Sequence, residues 1–203
     1  MFVSFDDATR ALVRLSAVVT AGREDAIRAT LAQAAGSVPH EWIEELLLQT
    51  YLFAGFPRAL NAMREWRRLR PEPVTPESAD ARDADAIRAD GEETCARVYG
   101  GMYERLRANV RALHPSLDAW MITEGYGKVL SRPGLDLARR ELCIVSACAA
   151  AEQDRQLHSH LHGAINVGVA PAVLDALFDA LTDVLTDAQL RSARLLWARV
   201  RGK

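Results

Sequence analysis

Cysteine is scarce in this chain. Three occur in 203 residues, Cys95, Cys143 and Cys148. An odd, sparse set argues against a disulfide framework and points to a reducing compartment, so the expected location is cytoplasmic. Long apolar runs are also missing: none reaches the roughly 18 residues of a membrane span. The first residues, MFVSFDDATR, are acidic and lack the apolar stretch of a secretory signal. The formal charge is only -2, which gives no electrostatic reason to expect nucleic acid or an anionic membrane as partner. No G-x-S-x-G and no glycine-rich loop after a strand is present, so serine-hydrolase and nucleotide chemistry have no footing. No alternating strand pattern competes anywhere.

What remains is helical. Hydrophobic residues make up 49% of the chain, enough for a packed core throughout. The periodicity predicts helices over residues 6–20 and 24–35, separated by Gly22. Residues 36–39 read as a turn. A helix over 40–53 follows, is broken by Gly55-Phe56-Pro57, and resumes over 58–69 with a basic outer face. Residues 71–78, PEPVTPES, form the one clear linker, with three prolines. Beyond it the pattern gives a short charged helix over 80–89 and a longer one over 92–113. The pair Gly100-Gly101 inside that longer helix suggests close packing of another backbone there. Helices over 116–128, 171–181 and 186–200 complete an all-α chain of about nine helices. Thr186 and Gln189 stand in capping-box spacing.

Residues 137–168 form the central feature, a helical hairpin. Asp136 is its expected N-cap. The first member runs apolar from Leu142 to Ala151, and a polar break at 152–155 follows. The second member is amphipathic, with Leu157, Leu161, Ala164 and Ile165 on one face. Gly168 is placed to end it, and Pro171 to start the next helix. Two of its groups are chemically unusual. Glu141 stands at the mouth of an apolar helix, and His160 at the border of the apolar stripe. A buried carboxylate beside an imidazole is a proton-transfer arrangement. The competing reading makes Glu141 a helix-dipole charge and His160 a border residue. In the run His158, His160, His162, helix geometry lets at most two rings share a face, which leaves a zinc site short of ligands; no metal is expected. Cys143 and Cys148 are expected to be buried, inert thiols.

The segment ITEGYGKVLSRPGLDLARRE, residues 122–141, resembles the carboxymuconolactone decarboxylase family, above all its γ-type decarboxylases. The likeness continues through Gln156-Leu157, His160, Gly163-Ala164, Asn166 and Gly168, and S-R-P-G-L-D is its most specific part. The resemblance implies the alkylhydroperoxidase D-like helical fold without a cofactor, and a homo-oligomer (dimer, trimer or hexamer). It also implies a small-molecule substrate and Glu141 and His160 as catalytic residues. Arg132 would clamp a substrate carboxylate, with Tyr126, Gln153 and His158 as further binding candidates. The implied activity is that of a lyase or isomerase moving a proton on a small lactone or carboxylic acid. The peroxidase branch carries its redox cysteines where this chain has Gln153 and Gln156, so an alkylhydroperoxidase-like antioxidant role is the weaker alternative. A non-catalytic ligand-binding or structural relative is the other.

The order of segments departs from the family. The pattern Glu45-Leu46-Leu47, Tyr51, Gly55, Pro57, Ala59 matches a stretch that family members carry after the histidine helix. Here it precedes the hairpin by about ninety residues, longer than any ordinary connection. Either the fold is circularly permuted or an internal repeat has degenerated, with Glu45 matching Glu141. Both predict one domain over 1–203: helices of 1–70 packing on a family core of 79–203, and a crossover linker at 71–78.

Overall fold

A computed structural model describes residues 4–71 and 81–202. Residues 72–78 of the expected linker lie outside the described residues. The all-α expectation holds: the described residues form helices and turns, with no strand. None of these helices is long and apolar enough to cross a membrane. They gather into two compact units, one of residues 4–71 with 134–202, the other of residues 81–133.

The first unit contains α1 (Asp7–Ala21), α2 (Glu24–Ala34) and α3 (His40–Leu69). After the second unit's residues it resumes with α7 (Leu137–Ala150), α8 (Asp154–Asn166), α9 (Pro171–Ala180) and α10 (Asp187–Arg201). Asp6 caps α1 by accepting from the Thr9 N–H, which satisfies one of the orphan donors of the first turn. Leu12, Leu15 and Val19 of α1 join Leu31, Ile43, Leu46, Leu47 and Trp66 in one buried cluster, which reaches Cys143 of α7. The small Ser16 lets α1 lie close to α7, and its hydroxyl donates to the Cys143 carbonyl at 2.7 Å. The α3 helix bends where the sequence predicts a break. Gly55 sits at φ 80°, ψ 161°, a conformation that side chains resist, and Pro57 cannot donate to the preceding turn. Past the bend, Arg58 turns back and donates to the carbonyls of Val19 and Gly22, closing the open end of α1.

The hairpin is built as read, and α7 is buried from Arg140 to Ala150. Asp136 accepts from the Arg139 N–H at its start. At its end Glu152 adopts φ 56°. The Gln153 N–H reaches back to the Cys148 carbonyl and the Glu152 N–H to that of Ala149, a Schellman closure with a glutamate in the usual glycine position. Gln189 of α10 supports this turn by donating to the Ala150 carbonyl at 2.9 Å. The same closure, now with glycine, ends α8. Gly168 is at φ 93°, and the Val169 N–H bonds the Ala164 carbonyl. The Thr186–Gln189 capping box opens α10.

The second unit holds α4 (Ala84–Tyr99), α5 (Tyr103–Leu113), α6 (Pro115–Trp120) and a π-helix over Met121–Leu130. Here the structure differs from the sequence reading in two ways. The expected helices over 80–89 and 92–113 are instead one helix through Gly91 and another after a 3₁₀ turn at Gly100–Met102. The close backbone approach is also elsewhere. Nothing lies within 4 Å of a Cβ built on Gly101. A Cβ on Gly91 would stand 2.3 Å from the Ile122 carbonyl oxygen, and one on Gly127 2.3 Å from that of Ile87. Gly91 is therefore a packing glycine that lets α4 touch the π-helix, whereas Gly100, at φ 52°, is the terminator. Gly91→Ala should lower stability by about 1–3 kcal/mol through overpacking. Gly101→Ala, facing open space, should leave the melting temperature unchanged or raise it. Thermal unfolding followed by circular dichroism distinguishes the two glycines.

Candidate functional site

Three successive turns of α3 face the hairpin. Glu45, Gln49 and Phe53 are four residues apart and so share one side of the helix. Glu45 Oε2 accepts from the Arg140 guanidinium at 2.7 Å. Gln49 donates its amide to the Arg140 carbonyl at 3.1 Å. Arg140 is fully buried, and its Nε donates to the Leu135 carbonyl at 3.0 Å. A charge that deep persists only with a countercharge and filled donors; α3 supplies the countercharge through Glu45, and the Leu135 carbonyl takes the Nε–H.

The next residue, Glu141, is also fully buried, and its Oε2 lies 2.9 Å from His160 Nδ1 on α8. Counting from an assumed turn at Gln153 would separate the two by roughly 7 Å of height and require a bridge. The structure forms the bond directly. The real helix ends are Ala150 and Asp154, so Glu141 is nine residues from its end and His160 six from its start, a difference of about 4.5 Å that the side chains span. The His160 side chain is 7% exposed. The Phe53 ring stands edge-on to it, with centroids 5.7 Å apart and planes at 83°.

Two polar atoms of this pair make no bond to the protein. Glu141 Oε1 is buried and has no hydrogen-bond partner. His160 Nε2 makes no hydrogen bond among the described residues. A carboxylate oxygen accepts, so in the Nδ1–H tautomer His160 donates to Glu141 Oε2 and Nε2 is the open nitrogen. In that tautomer the arrangement leaves Nε2 as the atom at which a proton could be exchanged.

Of the other candidates read from the sequence, Gln153 and His158 share the hairpin, but neither bonds to the pair among the described residues. His158 and His162 instead meet each other, ring centroids 4.9 Å apart, on the side of α8 away from His160. Arg132 and Tyr126 belong to the second unit, where the Tyr126 ring lies edge-on to Tyr99 at 6.2 Å. Among the described residues, no group of three or more His, Cys, Asp or Glu side chains is placed to hold a metal ion. Cys95, Cys143 and Cys148 are buried and form no disulfide among the described residues. Burial raises the Cys143 thiol far above its usual range, and burial with the nearby Glu141 charge pushes Cys148 up to about 12. The sequence reading missed Arg140, Gln49 and Phe53. Their one visible signal was the four-residue spacing of Glu45, Gln49 and Phe53.

Removing Glu45 would strand the Arg140 charge in the core. Glu45→Ala should cost about 3–5 kcal/mol. A Glu45→Leu, Arg140→Met double variant should recover most of that loss in chemical denaturation.

The model of the carboxymuconolactone decarboxylase family matches residues 115–199. That stretch takes in Glu141 and His160 and leaves out α1, α2 and α3. A protein of Schizosaccharomyces pombe named "Peroxisomal protein 2" is 30% identical over 126 residues, which are 61% of this chain and 59% of that protein. The chain thus spans about three fifths of the length of the curated relative it matches.

Proposed function

With residues 115–199 as a carboxymuconolactone decarboxylase family segment, we propose that the protein is a lyase or isomerase moving a proton on a small lactone or carboxylic acid. Glu141 and His160 are its acid–base pair. The observation that carries this reading is the buried pair with two open polar atoms, Glu141 Oε1 and His160 Nε2. Few structural arrangements leave a buried carboxylate oxygen without a donor, because the desolvation is unfavourable unless a ligand answers it. In a decarboxylation, CO₂ departs and its bonding electron pair stays on the conjugated carbon skeleton. The imidazolium Nε2–H then delivers the proton that quenches it, and solvent restores that proton. In an isomerisation, Nε2 removes a proton from one carbon and returns it to another. Glu141 holds the tautomer in both cases. Gln153 is the binding candidate that the same hairpin leaves to the pair, since His158 faces away from His160 on α8.

Thiol-based peroxide reduction has little support. The attacking species is a thiolate, and Cys143 and Cys148 are held as buried thiols. Glu141→Gln and His160→Ala should each lower turnover by about 10²–10⁴, the usual loss when general acid–base catalysis is removed. Steady-state assays over lactone and unsaturated carboxylic acid substrates measure this. Near wild-type rates in both variants would discard this mechanism and leave the Glu141–His160 pair as core structure.

We also propose that the segment order is rearranged, with α3 filling the place that a C-terminal helix takes in other family members. The contacts of Glu45, Gln49 and Phe53 on the hairpin support it. A reordered chain, residues 81–203 followed through a linker by residues 4–71, should fold to the same helical content by circular dichroism. Collapse of that chain would reject the idea.

A further inference from the structure

We propose that Phe53 is a positioning residue for the His160 imidazole, a role that rests on reading Glu141 and His160 as the acid–base pair. An imidazole bonded through one nitrogen alone can still rotate about χ2, and a flipped ring would offer Glu141 a carbon. It can also exchange tautomers. A second contact on the ring itself adds to the bias that keeps Nδ1 on Glu141. Phe53 supplies it: its ring meets the imidazole at 83° with centroids 5.7 Å apart, inside the range of favourable edge-to-face pairs. Such a contact biases a two-state ring population by about 2- to 12-fold.

The contact is useful only if Phe53 is itself held, and α3 provides for that. Glu45 and Gln49, two turns and one turn earlier on the same face, tie α3 to Arg140, the neighbour of Glu141. The Arg140 side chain and carbonyl fix the start of α7, and Phe53 fixes the ring that faces it from α8. One helix face thus sets both ends of the Glu141–His160 bond. Just past Phe53 the helix leaves its axis at Gly55, so the aromatic side chains beyond the bend are directed elsewhere. Phe56 is 63% exposed and stacks on Tyr51 at 4.6 Å. It serves as an internal control, an aromatic residue of the same helix without contact to His160.

The test uses the full chain labelled with ¹⁵N-histidine and needs no substrate. Long-range ¹H–¹⁵N spectra report the tautomer of each imidazole, and His160→Gln assigns the His160 signals by their disappearance. In the wild type, His160 should show a protonated Nδ1 and a bare Nε2. In Phe53→Ala the two nitrogen resonances should move toward each other as ring states mix. Phe53→Tyr should restore them, and Phe56→Ala should leave them unchanged. If Phe53→Ala fails to fold, Phe53→Leu keeps most of the volume without the aromatic edge and should show the same convergence. Wild-type resonances in a folded Phe53→Ala or Phe53→Leu variant would overturn the proposal, as would an equal shift in Phe56→Ala. Retained turnover in Glu141→Gln and His160→Ala would defeat the acid–base reading instead, while the ring-positioning result stood.

Discussion

Arg140 is a guanidinium with no access to solvent, and the arrangement around the hairpin follows from keeping it there. A charge at that depth must be countered and its donors filled, or the folded state loses several kcal/mol. The countercharge comes from α3, more than ninety positions earlier in the chain, through Glu45. Gln49 adds a bond to the Arg140 carbonyl from the next turn. Replacing such a pair with apolar residues is often neutral for stability, so its value lies in register. It admits one placement of α3 on α7, and with it one placement of the residue a further turn along, Phe53.

That register bears directly on the chemistry proposed. Arg140 and Glu141 are adjacent, both fully buried, and answered from different helices: α3 neutralises the first, while α8 bonds one oxygen of the second. The other oxygen, Glu141 Oε1, is left without a donor in an interior that otherwise satisfies its polar atoms closely. The residues matched by the family model contain Glu141 and His160, whereas α3, which bonds Arg140 beside them, lies outside the matched residues. The proton-transfer pair and its support thus come from separate parts of the chain.

Much of this was legible in the sequence, and for identifiable reasons. The hairpin could be read because its two members differ sharply in periodicity and because Asp136, Gly168 and Pro171 mark its boundaries by local chemistry. Glu141 and His160 stood out as polar groups in apolar surroundings. The pairing of Glu45 with Arg140 was hidden, since an arginine beside another arginine and a glutamate reads as a solvated patch, and burial is decided by contacts distant in sequence. Gly91 was hidden for a related reason: a glycine between two helical patterns reads as a break until the carbonyl it admits is seen. The π-helix at Met121–Leu130 has no composition signature that separates it from an α-helix. The hydrogen bond between Glu141 and His160 was underestimated because the height count placed the turn at Gln153 rather than at the true helix ends.

The central claim is that the open atoms of the Glu141–His160 pair are a place where something binds. Electron density with ordered solvent tests it most directly. The account predicts an oxygen atom, from water or from a bound carboxylic acid or lactone, within hydrogen-bond distance of Glu141 Oε1. It predicts a second hydrogen-bond partner, from the same molecule or another, at His160 Nε2. Density showing Glu141 Oε1 surrounded by apolar atoms alone, with Nε2 bonded to a protein group, would contradict it and leave the pair as core structure.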